Sequence, residues 1–197
     1  MKTGRLEAFS DGVIAVIITI MVLELKAPHT GTLEALLAVA PSLSIYGLSF
    51  AVVAIMWVNH HHLFEKAKGA DASLLWSNNL LLFWMSLIPF VTAYLGENCH
   101  EPLALCVYGG IMALASTGFL LLQTVLDRQA PDDSARRAEF RKMKRKAFFS
   151  VLCYGAAACL AFFSIDASYA VFVIIPLLYF WPEHKTEAAD QVRNVAD

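Results

Sequence analysis

The sequence predicts an all-α integral membrane protein with six transmembrane helices per chain. Three observations predict it. Of 197 residues, 58% are hydrophobic and only 16% charged, whereas a soluble domain is roughly 45–50% apolar and about 25% charged. Six apolar segments have span length or come close to it. The basic residues also sort strongly to one side of those segments. This composition excludes intrinsic disorder. A net charge of −2 offers no overall field for nucleic acid. The whole of 1–197 reads as one transmembrane domain, with the lipid bilayer as its solvent.

The first span runs from about Ala8 to Leu25. It holds Asp11 and ends without a small-residue cleavage site, so it reads as a retained helix rather than a signal peptide. The second runs from Leu36 to His60, the third from Leu74 to Leu95, the fourth from Leu103 to Leu126. The fifth (147–164) and sixth (167–181) lie near the lower limit of about 17 residues, and a tight hairpin packed on the others is the alternative for them. Ala-Pro-His-Thr-Gly at 27–31, Lys-Gly-Ala-Asp at 68–71 and Ala-Pro-Asp-Asp at 130–133 supply turn chemistry between spans.

With alternate loops assigned to alternate sides, 14 of the 15 Lys and Arg fall on one side, leaving only Lys26 opposite. The positive-inside rule then places both termini in the cytoplasm. The cytoplasmic side includes a basic loop at 127–146 and a tail at 183–197. Arg136, Arg137, Arg141, Lys142, Lys144, Arg145 and Lys146 cluster before span five. They read either as a topology determinant or as a docking point for anionic lipid. Five acids, Glu24, Glu34, Glu97, Glu101 and Asp166, face the other side. They are either ordinary solvated loop acids or a vestibule that gathers cations. No internal repeat relates the two halves.

Ionisable groups within a span are costly and mark function or a structural clamp. Arg5-Leu6-Glu7-Ala8-Phe9-Ser10-Asp11 opens span one. The topology puts Asp11, His60 and Asn78 at one depth. His60 and Asn78 can donate to the carboxylate, which gives a polar clamp between spans one, two and three. The other reading is proton sensing by Asp11 with His60. His60, His61 and His62 point about 100° apart on a helix, so no metal site is expected. The four cysteines form neither a zinc signature nor a disulfide framework. Ser10, Asp11 and His60 match a hydrolytic set by type only. No oxyanion-hole motif, P-loop or nucleophile elbow accompanies them, so no enzyme is expected.

Arg-x-x-x-Phe-Ser-Asp at residues 5–11 resembles the signature of the transmembrane-protein-175 family of potassium channels. Trp57-Val58-Asn59-His60-His61, Leu74-Leu75-Trp76-Ser77-Asn78 and Pro89-Phe90-Val91-Thr92 also match its pattern. The resemblance implies a potassium-selective cation channel with passive conduction and no bound cofactor beyond permeant K+. Animal members carry two six-helix repeats and pair as dimers. Members with one repeat are bacterial or archaeal homotetramers. One repeat here implies the bacterial type and a plasma-membrane location.

In the family, the first helices of the oligomer line the pore, and large apolar side chains form its constriction. The matching positions are Val16, Ile20 and Leu23, with Thr19 as a polar layer among them. Arg5, Phe9, Ser10, Asp11, His60 and Asn78 form the implied structural network beneath. Ile20 and Leu23 each lie within about 40° of Val16 on an ideal wheel, and Thr19 joins at about −60°. Residues 12–23 are apolar nearly all round, so periodicity alone does not single out this face. A ring of such side chains strips water from an ion or keeps a closed gate dry. The alternative class is a proton-coupled or proton-conducting transporter that uses Asp11 and His60.

Overall fold

The computed structural model describes residues 3–67, 69–129 and 134–180. Eight helices follow one another among these residues. They are α1 (Thr3–Leu23), α2 (Leu33–Ala38), α3 (Ala40–Phe64), α4 (Ala72–Ser86), α5 (Ile88–Glu97), α6 (Pro102–Gln129), α7 (Ser134–Leu160) and α8 (Ile165–Phe180). Four segments are long and apolar enough to cross a bilayer: α1, α3, α6 and the 26-residue run Ala72–Glu97 that holds α4 and α5. The protein is an integral membrane protein. The 16-residue α8 is apolar but short.

Prolines set the breaks. Pro41 lies in the first turn of α3, where its missing N–H costs nothing. The second apolar segment, expected to run unbroken from Leu36, is therefore split at Val39 into α2 and α3. Thr32 caps α2 by accepting from the Ala35 N–H at 3.3 Å. Pro89 likewise sits in the first turn of α5, and Leu87 closes the end of α4 with a tight bond to the Trp84 carbonyl at 3.3 Å. Span three thus carries a kink rather than a straight helix, as a proline that cannot donate to the preceding turn requires. Asp71 caps α4, accepting from the Leu74 N–H at 2.8 Å.

The basic stretch placed in a loop at 127–146 is helical where it is described. α6 continues to Gln129 and α7 starts at Ser134, so Arg137 to Lys146 lie on the first turns of α7. The 130–133 turn, the side chain of Arg136 and the 183–197 tail lie outside the described residues. α7 and α8 form a hairpin, tied at its turn by Ser168 donating to the Ala157 carbonyl at 2.9 Å.

α1 packs on α3, α4 and α5; α6 packs on α4, α5 and α7; α8 closes back on α3 and α6. α6 is the central post, and two of its glycines permit close approach. A Cβ on Gly118 would lie 3.0 Å from the Leu81 Cα of α4. One on Gly109 would lie 3.0 Å from both the Ala158 Cβ and the Tyr154 carbonyl of α7. Deeper in this core, Thr92 of α5 donates to Ser49 of α3 at 2.8 Å, and Ser49 lies 3.0 Å from the hydroxyl of the buried Tyr108 on α6. That triad satisfies three hydroxyls that would be costly alone in an apolar interior.

Candidate conduction surface and its polar frame

α1 has two faces that composition does not distinguish. Leu6, Ser10, Ile14, Ile17 and Met21 are buried, at helical spacings of four, four, three and four. The opposite side is open. Phe9 is 57% exposed, Val16 53%, Ile20 40% and Leu23 79%. Arg5, Gly12 and Thr19 share that exposed side. Gly4, Ala8, Ala15 and Val22 are exposed as well, so the open side of α1 is broad. An open groove of about 760 Å³ runs beside this face, between α1 and the Pro89–Ala93 stretch of α5.

Thr19 is the one polar side chain between Val16 and Leu23. Its hydroxyl has the Val16 carbonyl at 2.9 Å and the Ala15 carbonyl at 3.1 Å as acceptors for its proton. The proton is therefore turned back onto the helix, and the lone pairs are left facing outward. A group that offers only acceptor character suits a cation and not an anion.

Beneath the apolar run, three helices are joined by one directed hydrogen-bond chain. The His60 Nε2–H of α3 donates to Asn78 Oδ1 of α4 at 2.8 Å. The Asn78 amide donates to Ser10 Oγ of α1 at 2.9 Å, and Ser10 donates to the Leu6 carbonyl at 2.9 Å. Each acceptor role fixes the next donor, which sets the imidazole tautomer with its proton on Nε2. All three side chains are buried to within 1% of full. The His60 ring stacks on Phe64 with centroids 4.4 Å apart, and its Nδ1 is buried without a partner.

Asp11 is not part of this chain, contrary to the expected clamp. Its neighbour Ser10 takes that place, because adjacent residues point about 100° apart and Ser10 lies on the buried stripe. Asp11 faces α3 instead, where it accepts from the Trp57 indole N–H at 2.9 Å. Trp57 stacks against His61, whose Nδ1 lies 3.0 Å from Glu7 of α1. A second, more exposed strap thus ties α1 to α3. Glu7 and Trp57 were missed by the sequence reading as site residues. The signal for Trp57 was available, since an indole N–H in an apolar span needs an acceptor and Asp11 lies at its depth. Arg5 and Phe9 join neither network and stay on the exposed face. The three histidines diverge: His60 is buried on Asn78, His61 meets Glu7, and His62 lies 3.3 Å from Glu65.

At the other end of α1, Lys26 pairs with Glu97 at the close of α5. The hydrogen bond and charge of Glu97 push the Lys26 ammonium above its ordinary value.

The profile of the endosomal/lysosomal potassium channel TMEM175 family matches residues 5–89, the stretch that carries both faces of α1, the Ser10–Asn78–His60 chain and the kink. A potassium channel of Chryseobacterium sp. is 35% identical over 187 residues, 95% of this chain and 97% of that one. The chain belongs to the TMEM175 family. The crystal structure of a lysosomal potassium-selective channel TMEM175 homolog from Chamaesiphon minutus superposes with a TM-score of 0.81 at 33% identity, over 90% of this chain and 95% of that one. The human endosomal/lysosomal proton channel TMEM175 is 34% identical over 114 residues, 52% of this chain and 23% of the human protein. These TMEM175 relatives carry the names of channels, not enzymes.

Proposed function

We propose that the chain is a subunit of a potassium-selective channel in a bacterial plasma membrane. Four chains bring their α1 helices around one axis, and Val16, Ile20 and Leu23 form the apolar constriction, with Thr19 as its polar layer. The observation that carries this reading is the α1 face itself. The same helix buries one stripe in its own bundle and leaves Phe9, Val16, Ile20 and Leu23 uncovered, with Thr19 among them. A single chain with one such helix encloses no path, so conduction along this face needs copies of the chain. The potassium-channel names of near full-length relatives agree with this reading.

Six crossings follow if α4 and α5 count as one and α7 and α8 are added to the four long segments. An even number puts both termini on one side, and the positive-inside bias makes that side cytoplasmic. A cation then meets apolar rings that strip its water, and the Thr19 oxygens replace part of the lost shell. Potassium gives up water more readily than sodium and passes faster. No cofactor takes part in such passive conduction.

A proton-coupled mechanism would need Asp11 and His60 to exchange a proton. Each is hydrogen-bonded elsewhere, Asp11 to Trp57 and His60 to Asn78, which favours the passive channel. Flux of potassium against sodium from liposomes holding the purified protein tests the proposal. Downhill flux without a coupling ion, faster for potassium, is the expected result. Saturable flux that requires a proton gradient would overturn it in favour of the transporter.

A further inference from the structure

A second, half-open cavity of about 150 Å³ lies away from α1, bordered by α3, α6, α7 and α8. It is graded along its length. Val52 to Asn59 on α3 and Ser116 to Gln123 on α6 each advance seven residues, about 10 Å. One end holds Asn59, Gln123, Lys146 and Tyr179, and the walls beyond are formed mainly by Val52, Met56, Phe119 and Ile175. In the orientation proposed above, the polar end is at the cytoplasmic membrane surface and the apolar end points to the bilayer centre. A lipid of the inner leaflet has this grading and this direction.

Gln123 makes the cavity more than a packing defect. It is only 3% exposed, yet its side-chain oxygen is buried with no partner. An unpaired buried amide costs about 1–3 kcal/mol, so its retention calls for a ligand that satisfies it. That oxygen accepts, so the group that satisfies it must donate, as a hydroxyl on a lipid headgroup does. Ser150 and Tyr179, by contrast, satisfy each other at 2.8 Å. Lys146 stands at the mouth, on a turn of α7 that also carries Lys142, Lys144 and Arg145. A shallower groove shares Lys146, Ile175 and Tyr179 with the cavity and continues over Phe149 and Leu178. The cavity has the size of one known to admit a benzene ring. It accommodates part of one acyl chain, and the groove offers a path for the rest.

We propose that this cavity binds an anionic phospholipid of the cytoplasmic leaflet, with its phosphate at Lys146, a headgroup hydroxyl toward Gln123 and one acyl chain between α3, α6 and α8. The proposal uses the orientation given above but not the conduction mechanism.

The test counts lipid held by the full-length protein. The purified chain, in a zwitterionic detergent, is incubated with phosphatidylglycerol or phosphatidylcholine, and bound lipid is measured by native mass spectrometry. One basic side chain near an anionic headgroup is worth about fivefold in retention of phosphatidylglycerol over phosphatidylcholine. Lys146→Gln, a change at an exposed side chain, should remove most of that preference. Gln123→Leu should lower retention of phosphatidylglycerol, which has headgroup hydroxyls, and leave phosphatidylcholine, which has none, unchanged. Equal retention of the two lipids by the unaltered protein would overturn the proposal. So would a phosphatidylglycerol preference that survives in both variants, since the lipid would then sit elsewhere on the basic surface.

Discussion

Asn78 holds the inner frame together, because its amide both accepts from His60 and donates to Ser10. Asn78→Leu strands a buried imidazole N–H and should lower unfolding stability by about 1–3 kcal/mol. Asp11→Asn keeps an oxygen for Trp57 and should cost less than about 1 kcal/mol. Thermal or denaturant unfolding in detergent checks both. A larger loss for Asp11→Asn would mean that the carboxylate's charge carries the frame. Thr19→Val is the residue-scale test of selectivity. It removes the outward lone pairs at nearly constant volume, so the potassium-to-sodium flux ratio should fall while stability is unchanged. The polar types were legible in the sequence, and so was their depth. Their azimuth was not. Ser10 and Asp11 differ by one step of about 100° on α1, and the helix offers no polar side to fix its rotation, since Leu6, Ile14 and Met21 are as apolar as Phe9, Val16 and Leu23.

At the level of elements, span ends expected at Leu25, His60, Leu95 and Leu126 lie close to the observed helix ends, whereas the start expected at Ala147 lies at Ser134. Pro41, Pro89 and Pro102 all fall in first turns, as missing donors should. The segment 74–95 reads as one apolar run, because hydropathy is blind to a backbone bond lost at Pro89. The basic residues 137–146 read as a loop for a similar reason: charge expels a segment from lipid but does not unwind it. The glycines of α6 give a sharp comparison between neighbours. Gly109→Ala drives a Cβ to 3.0 Å from Ala158 and the Tyr154 carbonyl, whereas nothing lies within 4 Å of a Cβ on Gly110. Overpacking should make the first destabilising by about 1–3 kcal/mol. Better helix propensity should make the second neutral or stabilising by up to about 1 kcal/mol. Unfolding midpoints of the two variants decide the matter, and equal effects would show that α7 gives way freely at this crossing.

Across the whole molecule, two buried polar layers bracket the apolar run of α1. Ser10, Asn78 and His60 join three helices near its N-terminal end, and Ser49, Thr92 and Tyr108 join three near the other. Both are built from side chains that belong to one chain, so the frame does not depend on neighbours. Ile20→Ala and Leu23→Ala should therefore leave folding intact and change conductance or selectivity strongly. Unchanged currents from both variants in proteoliposomes would overturn the assignment of the pore face.

The bare stripe on α1 also bears on how such a protein is made. In water a helix with Val16, Ile20 and Leu23 uncovered would have to be shielded at once. In a bilayer the acyl chains are as apolar as leucine, and no hydrophobic force drives α1 to be covered. Both polar layers close within one chain, so a subunit of the proposed tetramer can complete them before it meets its partners. Association into that tetramer has to be driven by close packing of side chains rather than by escape from water, so its strength depends on shape. A substitution on that stripe can thus abolish the complex while leaving the subunit abundant, folded and silent in the membrane.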